Sequence, residues 1–125
     1  MCRSLSGLVA AMLLTVLSTS AFAPSAFAHA RLRASAPAAD SAGPAPKELA
    51  ITFSEALELK FSSVAVTDAA GARVDRDDLH AVGDNARELV IGLKSLTPGV
   101  YVVDWHATSV DTHKTDGRYS FTVVK

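Results

Sequence analysis

Leu96-Thr97-Pro98-Gly99-Val100-Tyr101-Val102-Val103-Asp104-Trp105-His106-Ala107-Thr108 is the stretch from which the fold is read. Pro98-Gly99 is a turn pair. After it, Tyr101, Val103, Trp105 and Ala107 fall on one face and Val102, Asp104, His106 and Thr108 on the other. That period of two predicts a long, half-buried strand with Trp105 inward. Leu96 to Tyr101 also has the form of a tyrosine corner, in which the phenol bonds back to the preceding turn of a Greek-key sandwich.

Working outward, the same alternation recurs. Leu89, Ile91 and Leu93 alternate with Val90, Gly92 and Lys94. Leu49, Ile51 and Phe53 alternate with Ala50, Thr52 and Ser54, and Glu55 ends that strand. Phe61 to Thr67 is a further strand with Val64 and Val66 inward, turned at Asp68-Ala69-Ala70-Gly71. Tyr119, Phe121 and Val123 mark the last strand, and His29 to Ala36 suits an edge strand. Pro37 to Pro46 is rich in breakers and reads as loop. Arg73 to Gly83 is acidic and poorly patterned, with at most one short strand, and a helical turn near Ala56 to Lys60 is too short to shape the fold. The sum is an all-β domain: a seven-stranded antiparallel Greek-key β-sandwich or barrel, immunoglobulin-like in size, with cupredoxin-like topology.

The start of the chain reads as an export signal. Arg3 gives a short positive region, Leu8 to Leu17 an apolar core too short to span a bilayer, and Ala26-Phe27-Ala28 a small-x-small cleavage site. Ala21-Phe22-Ala23 competes, but Pro24 would then follow the cut. Residues 1–28 are thus expected to be removed, leaving 29–125 as one domain that begins with His29 and a free α-amine. Cys2, Met1 and Met12, the only cysteine and the only methionines, leave with the signal, so no sulfur ligand or disulfide remains. The signal carries one of the 12 basic residues and none of the 13 acidic ones, so the mature charge is slightly more negative than the −1 of the whole chain. Such a balance offers no basic surface for nucleic acid or anionic lipid. Nothing after the signal is long enough to insert in a membrane.

Asp111-Thr112-His113 is the motif that carries chemistry. In extended backbone, residues two apart point the same way, which would set a carboxylate beside an imidazole before Gly117 turns the chain back. Alone, such a surface pair is more often solvated than ligating. His29 changes the balance. As a first residue it offers an α-amine and a ring nitrogen that close a chelate on one ion. Reference pKa values of about 8 and about 6.5 let both lose their protons near neutral pH. Three nitrogens and one oxygen form a tetragonal set suited to Cu(II), and affinity should fall as protons compete at lower pH. His106, beside Asp104 on the outer strand face, and His80, near Asp77 and Asp78, are expected to be solvated; either could give a second, weak site.

These features together resemble the CopC family of copper-resistance proteins. The resemblance is carried by His29-Ala30 after the cleavage site, Pro37, Phe53-Ser54-Glu55, Gly99-x-Tyr101, and Trp105 through Ser109, Asp111 and His113 to Gly117. It implies a Greek-key barrel or sandwich that carries copper and catalyses no known reaction. It also implies a Cu(II) site from His29 with its amine, Asp111 and His113, with Glu55 as an outer or axial contact. The lack of a methionine-rich mid-chain loop implies a Cu(II)-only member. Thr112 stands where the family commonly has glycine between the aspartate and the histidine, and His106 where arginine is frequent. The resulting expectation is a monomeric periplasmic protein holding one Cu(II) ion. It would act as copper carrier or buffer in copper homeostasis or resistance, with an inner-membrane copper transporter as recipient. Two other classes compete: a copper-dependent oxidative enzyme, and a metal-free β-sandwich interaction module.

Overall fold

The computed structural model describes residues 30–125. The expected export signal and His29 lie outside the described residues.

Eight strands run in chain order: β1 (Leu32–Ala36), β2 (Ala42–Gly43), β3 (Glu48–Phe53), β4 (Ser63–Thr67), β5 (His80–Ala81), β6 (Glu88–Gly92), β7 (Gly99–Thr108) and β8 (Lys114–Val123). They form two four-stranded sheets, ordered β1-β3-β6-β5 and β2-β8-β7-β4. Only β5–β6 and β7–β8 follow one another within a sheet; every other connection crosses between the layers. The pairs are antiparallel except β2 with β8, which is parallel. This is the expected β-sandwich, with one strand more than the sequence suggested.

The added strand is β2, inside the segment read as loop. It aligns Ala42 and Gly43 with Thr122 and Val123. Two residues paired through backbone groups need no side-chain alternation, so the breaker-rich composition hid it. Phe61 proves to end a single 3-10 turn, Leu59–Phe61, and β4 starts at Ser63.

The core follows the alternation. Leu49, Ile51 and Phe53 of β3 and Leu89 and Ile91 of β6 face Val64 and Val66 of β4 and Tyr101, Val103, Trp105 and Ala107 of β7. Val66 and Val103 are fully buried, and each such side chain contributes roughly 1.5–3 kcal/mol relative to exposure. Tyr101 stacks on Phe121 with centroids 5.6 Å apart, and its hydroxyl donates to the Thr97 carbonyl at 2.6 Å, completing the tyrosine corner. Thr108, expected on the outer face, is buried because the 3-10 turn covers it: its hydroxyl donates to the Phe61 carbonyl at 2.9 Å.

The acidic connection from β4 to β5 is organised around one carboxylate. Asp75 is buried and accepts the Val66 N–H at 2.8 Å, the Arg73 Nε–H at 2.8 Å and the Asp77 N–H at 2.9 Å. Burial pushes its carboxyl up, but Arg73 and the two amides outweigh that and hold it below the ordinary value.

Candidate metal site

Asp111 and His113 lie in the turn between β7 and β8. The Ser109 N–H donates to the His113 carbonyl at 2.9 Å and the Thr112 N–H to the Ser109 carbonyl at 2.9 Å, so the five residues close on themselves. The backbone here is not extended, as the motif had suggested. Thr112 takes φ 73°, a left-handed conformation that an L-residue adopts at a cost. The hairpin has to reverse within these residues, and that single positive φ swings His113 back toward Asp111. The two side chains still meet: His113 Nδ1 and Asp111 Oδ2 stand 3.1 Å apart.

Gly117 does not turn the chain. It sits within β8 opposite Trp105, and a Cβ there would come within 2.5 Å of the indole. Trp105 lies across that gap and meets Phe53 edge-on, centroids 5.3 Å apart. Glycine is therefore required by the ring, not by the backbone.

Ser109 is buried and its hydroxyl donates to Asp111 Oδ1. That bond first, and the contact with His113 second, hold the exposed Asp111 carboxyl below the usual carboxylate range. The ionised form of the carboxylate is thus favoured over the protonated one.

Two other segments reach this turn. The Val110 N–H donates to the Ala56 carbonyl at 3.1 Å, and Ser109 bridges Leu57. On the other side Ser54 and Arg31 exchange bonds: the Arg31 N–H donates to Ser54 Oγ at 2.8 Å and the Ser54 N–H to the Arg31 carbonyl at 2.9 Å. Half-buried Glu55 thus sits on the short link between the Arg31 contact and the Val110 contact. Ala30 is fully buried, and its carbonyl accepts the Thr115 hydroxyl at 2.7 Å. A shallow hollow of about 490 Å³ opens there, lined by Ala30, Leu32, Trp105 and Thr115 among others.

Among the described residues, no three His, Cys, Asp or Glu side chains are arranged to hold a metal ion. Asp111 and His113 form a pair, and Glu55 does not complete a three-donor cluster with them. The residue that would add nitrogens, His29, lies next to the anchored Ala30 but outside the described range. His80 belongs to the other sheet, on β5, where its Nδ1–H donates to the Asp78 carbonyl at 2.8 Å. His106 is exposed on the outer face of β7 opposite Asp116. Neither joins the Asp111–His113 pair. Sequence reasoning missed the parts of Ser109 and Thr115. A serine two residues before an aspartate where a strand ends was the available signal for the first.

The sequence model of the CopC domain matches residues 32–124. The chain belongs to the CopC family. Among its relatives, Protein YobA of Escherichia coli (strain K12) is 38% identical over 112 residues, covering 88% of this chain and 90% of that one. Copper resistance protein C of Escherichia coli is 38% identical over 106 residues, covering 79% of this chain and 84% of its own. The crystal structure of PcoC, a methionine-rich copper resistance protein from Escherichia coli, superposes with a TM-score of 0.69 at 38% identity, covering 78% of this chain and 100% of that one. This CopC-family chain differs from a methionine-rich relative in one plain respect. Its two methionines are Met1 and Met12, both before the described domain.

Proposed function

We propose that this CopC-family protein is a periplasmic, non-catalytic Cu(II) carrier or buffer that binds one ion through His29, Asp111 and His113. His29 would supply its α-amine and ring nitrogen after removal of residues 1–28, and Glu55 an outer or axial contact. An inner-membrane copper transporter is the proposed recipient of the ion, and the protein acts as a monomer in copper homeostasis or resistance.

The observation that carries this reading is the 3.1 Å separation of Asp111 Oδ2 and His113 Nδ1. Two donors at right angles, each about 2.0–2.2 Å from one ion, stand about 2.8–3.1 Å apart. In the metal-free chain the same approach is satisfied by an Nδ1–H donating to the carboxylate, so an ion using that nitrogen requires the tautomer with its proton on Nε2. The tie between Thr115 and Ala30 supports the placement of His29 on the same side of the sandwich.

Calorimetric titration of the processed chain beginning at His29 tests this. It should show one tight Cu(II) site, and one extra residue before His29 should weaken binding by orders of magnitude. Equal binding by the extended chain would remove the amine from the ligand set.

A further inference from the structure

Asp111 has two carboxylate oxygens, and the fold treats them differently. Oδ2 faces His113 Nδ1 at the mouth of the turn. Oδ1 faces inward, where the Ser109 hydroxyl donates to it and the His113 N–H approaches at 3.5 Å. The Ser109 hydroxyl has a single proton and a second acceptor in reach, the His113 carbonyl at 3.3 Å. That carbonyl already accepts the Ser109 N–H at 2.9 Å. The anionic oxygen is the stronger acceptor and takes the proton. Ser109 itself is 1% exposed and fixed by its backbone bonds at the end of β7, so water does not compete for the contact.

We infer that Ser109 is a positioning residue that holds Asp111 as a one-oxygen ligand, with Oδ1 engaged from within and only Oδ2 presented to the ion. This rests on the copper reading above. A carboxylate clamped on one oxygen occupies one corner of a planar four-donor set. Freed of the clamp, it can rotate and chelate through both oxygens, as harder cations prefer. The serine thereby favours the tetragonal ion over oxygen-seeking ones.

The test uses the processed chain and Cu(II) in competition with a chromogenic chelator. Ser109→Ala should still bind one equivalent but with roughly 10- to 100-fold lower affinity, the usual effect of removing a partner that orients a ligand. Ser109→Thr, which keeps the hydroxyl, should restore most of that affinity. Adding Ser109→Ala to Asp111→Ala should cost nothing further, because the serine acts through the carboxylate. An independent readout needs no variant: in the wild-type chain with 13C-labelled aspartate, Cu(II) loading should widen the splitting of the Asp111 carboxylate stretches, the infrared signature of one-oxygen binding. Wild-type affinity in Ser109→Ala, an additive loss in the double variant, or a narrowed splitting overturns the assignment while leaving the copper reading intact. A wild-type chain that binds no Cu(II) overturns both.

Discussion

The Thr115 hydroxyl donates to the Ala30 carbonyl at 2.7 Å, tying the residue after His29 to the strand that leaves the Asp111–His113 turn. Residues 85 apart in sequence are thereby joined, one position after His29 and two after His113.

Thr115→Val removes that bond at nearly constant volume and leaves a buried carbonyl without its partner. A stability loss of about 1–3 kcal/mol follows. On the proposed copper reading, Cu(II) affinity should also fall several-fold, since Ala30, the neighbour of the proposed ligand His29, loses its tie to the hairpin. Urea unfolding and copper titration on the same variant check both. Unchanged affinity would show that Ala30 needs no tether.

Thr112 is β-branched and left-handed, at φ 73°. Such backbone costs an L-residue about 1–2 kcal/mol, part of which glycine returns through its freer unfolded state. Thr112→Gly should therefore raise stability by about 0.5–1 kcal/mol, read as a higher urea midpoint, with Cu(II) binding retained. A lower midpoint would mean that the threonine side chain contributes more than its backbone costs.

Gly117→Ala should act in the opposite sense to most glycine replacements in strands. The new methyl would meet the Trp105 ring at 2.5 Å, so the indole or the β7–β8 pairing must shift. A loss of about 1–3 kcal/mol, seen as a lower thermal midpoint, is the expected outcome. Stabilisation would show that the ring has room to move aside.

Asp75 makes stability depend on acid. Folding lowers its pKa below the ordinary value of 3.8, so the unfolded chain takes up the proton first as pH falls. The stabilisation is complete above about pH 4–5 and is lost as pH drops through the folded-state value. Asp75→Ala removes it and leaves the Val66 amide unpaired, for a loss of about 2–4 kcal/mol at neutral pH. Urea unfolding between neutral pH and pH 3 should show a shallower pH dependence in the variant than in the wild type.

The sandwich was legible because its core strands alternate: Leu49/Ile51/Phe53, Leu89/Ile91 and Tyr101/Val103/Trp105/Ala107 all bury the residues the pattern names, although β6 also buries the intervening Val90. What escaped the pattern depends on backbone or on distant partners. β2 is two residues of parallel pairing with no side-chain signature. Gly117 resembled a turn residue, and only the position of Trp105 across the hairpin explains it. At the site, the spacing of Asp111 and His113 pointed to their meeting, but through the wrong geometry. An extended tripeptide and a turn with one positive φ both bring them together, and residue types alone do not separate the two. Ser109 carried only the signal of a serine two residues before an aspartate at a strand end, since a hydroxyl declares its acceptor only once the chain has folded.

The chain has a single tryptophan, and the hairpin lays its ring beside Gly117, at the edge of the hollow next to Ala30. A paramagnetic ion held at that edge drains the excited state of a nearby indole. On the proposed copper reading, loading should be followed as a fall in the protein's own fluorescence, with no label and no second tryptophan to confuse the signal.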